Sequence, residues 1–250
     1  MRSMGGHRSL ICTVACTGAI LIGLVSAGYS KTDQVAAATG LKGGDLRDFE
    51  FQMNSLRTYD REIYGKHDVS AEVARRMTTK DLIMQTSRLD LWLLPVLYDN
   101  PNIGIYRASR CSNSMAELLD RQDFYPAFLQ DYSSFNPSPK TNPHFKDEGG
   151  LFGTSWMLSL LDYPPLQSQS AGHEKQILLT LCKKYREIQK VNASYPKGLS
   201  PYGDSCFPLD TAERLARGAF PNALINSVNS PDKVEPAIKQ LERLGSGSSS

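Results

Sequence analysis

The N-terminal part of the chain contains a run of nineteen consecutive uncharged residues, Leu10 to Gly28. Arg2 and Arg8 precede this run, and polar sequence follows it at once. Positive charge is retained on the inner side of a membrane, so the pattern predicts an export signal or an N-terminal membrane anchor. The rest of the chain is therefore expected outside the cytoplasm, in a periplasmic, lumenal or secreted setting.

The leader is either cleaved after Ala27 or retained as a single transmembrane helix. Its length just reaches the roughly 20 residues that a helix needs to cross a bilayer. The small residues Val25-Ser26-Ala27 form a suitable cleavage site, which favours removal. We divide the chain into a leader (residues 1–27), a linker (28–44), a helical extracytoplasmic domain (45–244) and a flexible Gly/Ser tail (245–250).

The charge balance argues against nucleic acid as a partner. The sequence has 28 basic and 26 acidic residues, and cleavage after Ala27 would remove Arg2 and Arg8 but no acidic residue. A neutral chain with dispersed charges lacks the positive field that attracts phosphate backbones. The hydrophobic content of 40% lies in the globular range. The chain after the leader is also long enough to form one sizeable core.

The first predicted helix runs from about Asp45 to Tyr64. Its apolar stripe has one polar position, Asp60, and consists of Leu46, Phe49, Met53, Leu56 and Ile63. Fewer than three heptads are present, which favours a helix packed on its own domain over a coiled coil. A homo-oligomer formed through residues 45–64 is the alternative, and a retained membrane anchor would favour it by raising the local concentration.

Capping signals and apolar periodicity predict further helices along the domain. The predicted starts lie near Thr79, Ser114, Asp210 and Asp232, and the clearest single helix is Glu174 to Val191. Ile103 to Arg107 is predicted as a short strand, and the apolar run Leu89–Leu97 is expected at the centre of the core. The sequence therefore predicts a mainly α fold of six to eight helices around a single core.

Two long proline-rich loops interrupt this pattern, at Phe135–Pro143 and Tyr195–Pro208. Loops of this length in compact domains are usually functional or mobile. Four aromatic residues in or near the first loop suit a protein interface, where aromatic anchors carry much of the binding energy. Alternatively, they pin the loop to its own core. These interface candidates are Tyr132, Phe135, Phe145 and Phe152.

Part of this region resembles the active-site segment of lysozyme-like lytic transglycosylases. The similarity rests on Ser133-Ser134-Phe135-Asn136-Pro137 and on Gly150-Leu151-Phe152-Gly153. The resemblance implies a peptidoglycan glycosidase or a degenerate relative that binds glycan. Tyr132 stands where that family has its catalytic glutamate, and Gly153 stands where it has a glutamine. A general acid is needed to cleave a glycosidic bond, so Asp131 or Glu148 would have to supply it.

Three cysteines remain after the leader, and an oxidising compartment permits one disulfide among them. Cys182 with Cys206 is the favoured pair because the intervening segment is rich in turn-forming residues; the alternative is that Cys111, Cys182 and Cys206 are all buried thiols. His144, Asp147 and Glu148 lie within five residues, but further ligands at suitable spacing are missing. We therefore predict no metal site and no cofactor.

These observations favour a non-catalytic structural or assembly component of an envelope or membrane-associated complex. Its expected partners are other envelope or membrane proteins, which its helices and loops would contact. The alternative function is the glycosidase that the resemblance implies.

Overall fold

The computed structural model describes residues 35–37, 39–143, 157–167, 169–196, 202, 207–217 and 231–246. Within these ranges the chain is mainly helical and contains no strand. The predicted mainly α class is thus confirmed, whereas the prediction of six to eight helices is too low, because segments predicted as one helix are divided into shorter ones. None of the helices in these ranges is long and apolar enough to cross a membrane. The predicted leader, residues 1–27, lies outside them.

Helix α1 spans Gly43–Ile63, close to the bounds predicted for it. Two short capped helices follow it, α2 (Ala71–Arg76) and α3 (Thr79–Ser87). The Thr78 hydroxyl accepts a hydrogen bond from the backbone amide of Asp81, so the predicted start of α3 is confirmed.

The strand predicted at Ile103–Arg107 is wrong, because this segment lies within helix α5, Pro101–Cys111. Asn100 caps the helix by accepting a hydrogen bond from the Asn102 amide, and Pro101 occupies the first turn, where it is tolerated. A 3-10 turn (Asp90–Trp92) and the four-residue helix α4 (Leu93–Val96) precede α5. The apolar residues of the segment therefore follow the period of a helix, not that of a strand.

The helix predicted from Ser114 to about Tyr132 is two helices, α6 (Asn113–Leu119) and α7 (Phe124–Ser134). The cap of α6 is Ser112, which accepts from the Met115 amide. Pro126 lies in the first turn of α7, where its missing N–H costs little. The proline thus belongs to a helix start and does not interrupt a continuous helix.

The second half of the chain supplies a 3-10 helix (Leu158–Asp162) and helices α8 (Pro164–Gln167), α9 (Glu174–Ala193), α10 (Phe207–Arg217) and α11 (Pro231–Ser246). The prediction for α9 is confirmed almost to the residue. Helix α10 begins before its predicted cap at Asp210, and α11 extends into the segment predicted as a flexible tail.

The buried apolar residues form one main cluster and two smaller ones. The main cluster contains Leu89, Leu91 and Leu94, as expected for the centre of the core, although Leu97 is exposed. A second cluster lies between α9, α10 and α11. The third joins α1 to α5 and consists of Val35, Leu46, Met53 and Tyr106. Because α1 rests on a small cluster of its own, much of its surface remains exposed.

Candidate interaction surface on helix α1

Helix α1 presents apolar side chains on the side that faces away from its packing cluster. Phe51 is 76% exposed, Tyr59 is 58% exposed and Ile63 is 45% exposed. Single exposed apolar residues are common on protein surfaces, but several that share one side of a helix form a patch that is a candidate interaction site. We call this surface the outer face of α1; it comprises Asp48, Phe51, Ser55, Tyr59, Glu62 and Ile63.

The spacing of the outer face is regular. Asp48, Phe51, Ser55, Tyr59 and Glu62 follow one another at intervals of three, four, four and three residues, which keeps them on one side of an α-helix. The two aromatic residues lie symmetrically about Ser55, and the two carboxylates lie symmetrically outside them. The result is an aromatic centre with a negative charge at each end.

The opposite side of α1 packs against α5. Leu46 and Met53 are buried in the third cluster, and the rings of Phe49 and Tyr106 lie 5.8 Å apart. These contacts hold α1 along its N-terminal half and leave its outer face uncovered by the described residues.

A buried ion pair fixes the C-terminal half of α1. Arg107 on α5 donates from Nε and Nη2 to the two oxygens of Asp60, each at 2.6 Å, and from Nη1 to the Tyr98 hydroxyl at 2.7 Å. The hydrogen bonds to Asp60 raise the pKa of Arg107, against the opposing effect of burial. The carboxylate therefore has a complete set of partners and serves to orient the helix.

The structure places the first of the sequence-predicted aromatic residues in the interior. Tyr132 is buried, its ring stacks on Phe128 at 5.3 Å, and burial raises the pKa of its hydroxyl. Phe135 is half-buried at the start of the proline-rich loop. Tyr132 is therefore part of the core and not of the exposed surface, whereas the interface role of Phe135 stays a prediction. Phe145 and Phe152 lie outside the described residues.

Lys184 on α9 connects this loop to the core. Its ammonium group, on a side chain only 2% exposed, donates to the carbonyl oxygens of Ser133 and Phe135 at 3.2 and 2.6 Å. It also pairs with Glu187 at 2.6 Å. The cation thus binds two carbonyls at the end of α7, where a positive charge is favourable.

Of the two carboxylates considered for glycosidase chemistry, only Asp131 belongs to the described residues. Asp131 is half-buried on α7, next to Tyr132. Glu148 lies outside the described residues, as do His144 and Asp147. In the described part of the chain, no group of three or more His, Cys, Asp or Glu side chains could hold a metal ion.

The prediction of a disulfide between Cys182 and Cys206 is wrong, because Cys182 is a free, buried thiol. Its side chain packs in the second cluster, among residues of α10 and α11. Cys206 itself lies outside the described residues. Burial raises the pKa of Cys182 and of Cys111 to about 12, with the nearby charge of Asp60 adding to the effect at Cys111. A thiol that stays protonated is a poor nucleophile, so neither is suited to catalysis.

The outer face was missed by reasoning from the sequence. The apolar stripe used to predict α1 contains Leu46 and Met53, which are buried. Phe51 and Tyr59 fall outside this stripe and were therefore not considered. A second series at three- and four-residue spacing was the available signal. Asp60 was the other signal, because a charged residue inside an apolar stripe requires a buried partner.

Comparisons with protein-family models, with curated proteins and with solved structures found no match to this chain.

Proposed function

We propose that this protein is a non-catalytic assembly component of an envelope or membrane-associated complex and that the outer face of α1 is its docking surface. The observation that carries the proposal is the exposure of Phe51 and Tyr59 on one helix face. Aromatic side chains contribute heavily to binding energy when a partner buries them.

The leader supports a position close to the membrane. Fourteen residues, 29–42, separate the uncharged run from the start of α1. Fully extended, a segment of that length reaches about 50 Å at most. A retained anchor would therefore hold α1 near the bilayer surface, within reach of the extracytoplasmic parts of membrane proteins. A cleaved leader would deliver the same docking surface to the compartment without a tether.

The charges on the outer face favour a different protein over a second copy. Antiparallel pairing of two α1 helices about Ser55 would place Phe51 opposite the partner's Tyr59, but it would also place Asp48 opposite the partner's Glu62. Like charges at these positions oppose association. The complementary surface is an apolar groove for two aromatic rings with a basic residue at each end. We propose a partner of this chemistry.

Site-specific photo-crosslinking in the producing cells tests the proposal. A photo-reactive residue at Ser55, the exposed centre of the outer face, is expected to link the chain to one other polypeptide. Phe51→Ala combined with Tyr59→Ala should abolish the cross-link, because truncation of a buried aromatic anchor typically costs about 2 kcal/mol or more of binding free energy. Leu97→Ala removes an equally exposed apolar side chain elsewhere and should leave the cross-link intact.

Peptide mapping then tests the partner's chemistry, because the cross-linked segment should carry basic residues. Reversal of the two charges, Asp48→Lys with Glu62→Lys, is expected to weaken the cross-link. A product of twice the chain's own mass would instead show self-association through residues 45–64 and contradict the proposed partner. Equal loss of the cross-link in Leu97→Ala would rule out the outer face. Clearing of a peptidoglycan suspension by the purified chain, lost in Glu148→Gln or Asp131→Asn, would replace the proposal by the glycosidase alternative.

A further inference from the structure

An open cleft of about 650 Å³ lies at the C-terminal end of α1. Arg57 and Arg61 line it from the helix, and Lys66 lines it from the turn that follows. Gly65 lies between them, with its backbone so close to the end of α5 that an added Cβ would come within 2.6 Å of the Cys111 carbonyl oxygen. The close approach fixes the backbone of the turn that carries Lys66.

The three cations of the cleft have no carboxylate partner in the described part of the chain. Arg57 donates from Nε to the Arg110 carbonyl oxygen at 3.1 Å, which anchors its side chain over α5 and leaves its terminal nitrogens available. Arg61 and Lys66 are exposed and form no ion pair with a described residue. Arg76 and Arg214, by contrast, each form an ion pair with a carboxylate.

Two carboxylates also line the cleft, and they differ in what they bind. Asp68 accepts hydrogen bonds from the backbone amides of Val69, Asn113 and Ser114 and from the Ser114 hydroxyl. Its oxygens are thereby engaged at the start of α6. Among the described residues Glu62 has no such partner, so its oxygens compete with a bound anion for the basic side chains of the cleft.

We propose that this cleft binds a phosphate group through Arg57, Arg61 and Lys66. Guanidinium groups match the oxygens of phosphate in a planar, bidentate geometry, and a lysine ammonium adds a compact third charge. The phosphate can belong to the headgroup of an anionic lipid or to a small soluble phosphate. The cleft adjoins the outer face of α1 but uses different side chains, except for Glu62, so its ligand does not depend on the proposed protein partner.

Titration of the full chain with inorganic pyrophosphate, and cosedimentation with phosphatidylcholine vesicles with and without phosphatidylglycerol, test this proposal. Arg61→Ala combined with Lys66→Ala should weaken binding about 25-fold, since each basic residue at an anionic surface is worth about a fivefold change in affinity. The matched control is Arg75→Ala with Lys80→Ala, which removes the same charge from exposed positions on α2 and α3 and should have little effect.

The Glu62→Gln variant is expected to change the affinity for phosphate in the opposite direction. Loss of the competing carboxylate should tighten phosphate binding about fivefold, whereas it should weaken docking of a partner with basic residues. Phe51→Ala should weaken docking and leave phosphate binding unchanged. These variants separate a failure of the cleft from a failure of the docking surface.

Each of the following results supports or contradicts phosphate binding in the cleft. Pyrophosphate binding that is lost in the double variant supports a soluble phosphate, and binding only to phosphatidylglycerol vesicles with the same loss supports a lipid headgroup. Absence of binding to both probes would overturn the proposal. Equal losses in the double variant and its charge-matched control would also overturn it, because they would indicate a general effect of net charge.

Discussion

Asp60 and Arg107 form a two-pronged ion pair between α1 and α5, with both hydrogen bonds at 2.6 Å. The Asp60 side chain is 1% exposed and that of Arg107 is 13% exposed. Charges removed from water in this way are tolerated only with good geometry and further hydrogen bonds, and Tyr98 supplies one. The pair fixes the rotation of α1 about its own axis, and so determines that Phe51 and Tyr59 face outward.

Asp60→Asn is expected to destabilise the protein by about 3 kcal/mol, because it leaves the Arg107 guanidinium buried without a countercharge. Urea unfolding followed by circular dichroism measures the loss. Arg76→Ala breaks the exposed pair with Glu72 and should cost less than about 1 kcal/mol.

A double variant shows how much of the destabilisation comes from leaving one member of the Asp60–Arg107 pair buried without its partner. Asp60→Leu combined with Arg107→Met should be more stable than Asp60→Leu alone, because no unpaired charge stays buried. A loss in the double variant equal to the sum of the losses in Asp60→Leu alone and Arg107→Met alone would show that the two residues are not coupled.

Lys184→Met is expected to destabilise the protein by about 2 kcal/mol, because the carbonyl oxygens of Ser133 and Phe135 and the Glu187 carboxylate lose their donor while the apolar stem of the side chain is retained. Limited proteolysis should show faster cleavage near Phe135. Its neighbour Lys183 pairs with Glu242 at the surface, so Lys183→Met is a matched control that should change stability by about 0.5 kcal/mol or less. Similar effects of the two variants would contradict the role assigned to Lys184.

Local signals along the sequence were sufficient to predict the helical class and the bounds of the long helices. The three- and four-residue spacing of Ile177, Leu181 and Tyr185 predicted α9, and these side chains are buried. The Thr78 cap predicted α3 in the same way. In each case residues close in sequence decide the structure, because a helix forms its hydrogen bonds within itself.

Structural features that depend on residues distant in sequence could not be predicted from these local signals. The strand predicted at Ile103–Arg107 is a helix because the Asn100 cap and the buried contacts of Ile105 and Ala108 outweigh the β propensity of short apolar runs. The disulfide prediction considered the loop between Cys182 and Cys206 but not the packing of Cys182 beneath α11. The outer face of α1 required knowledge of which side of the helix packs, and Asp60 bound to Arg107 determines that side.

Gly104→Ala is expected to destabilise the protein by about 3 kcal/mol or more. An added Cβ would lie 2.3 Å from the Leu94 carbonyl oxygen and 2.4 Å from Pro95 Cα, and both are backbone atoms that cannot move aside cheaply. Gly44→Ala on α1 is the control, since nothing lies within 4 Å of its Cβ position. Alanine there should stabilise the helix by about 0.5 kcal/mol or leave it unchanged. Thermal unfolding compares the two, and a neutral Gly104→Ala would contradict the close packing of α4 on α5.

Alkaline pH is expected to destabilise the protein through Cys111 and Cys182. Burial raises the pKa of both thiols to about 12, so they stay protonated in the folded chain while the unfolded chain loses their protons above about pH 8.5. The contribution of each thiol is complete below that pH and falls by about 1.4 kcal/mol per pH unit as the pH rises toward 12. Urea midpoints measured between about pH 8.5 and 10, below the titration of free tyrosine, should therefore decline. Cys111→Ala with Cys182→Ala should reduce this decline.

Alkylation provides the direct check on the same thiols. At pH 8 a thiol of pKa about 12 is ionised to only about one part in ten thousand, against roughly a quarter for an exposed cysteine. Peptide mass spectrometry after iodoacetamide treatment should therefore find Cys111 and Cys182 unmodified in the folded chain and modified in urea. Rapid native labelling of Cys182 would contradict its burial beneath α11. A peptide linked from Cys182 to Cys206 would contradict the free, buried thiol at Cys182.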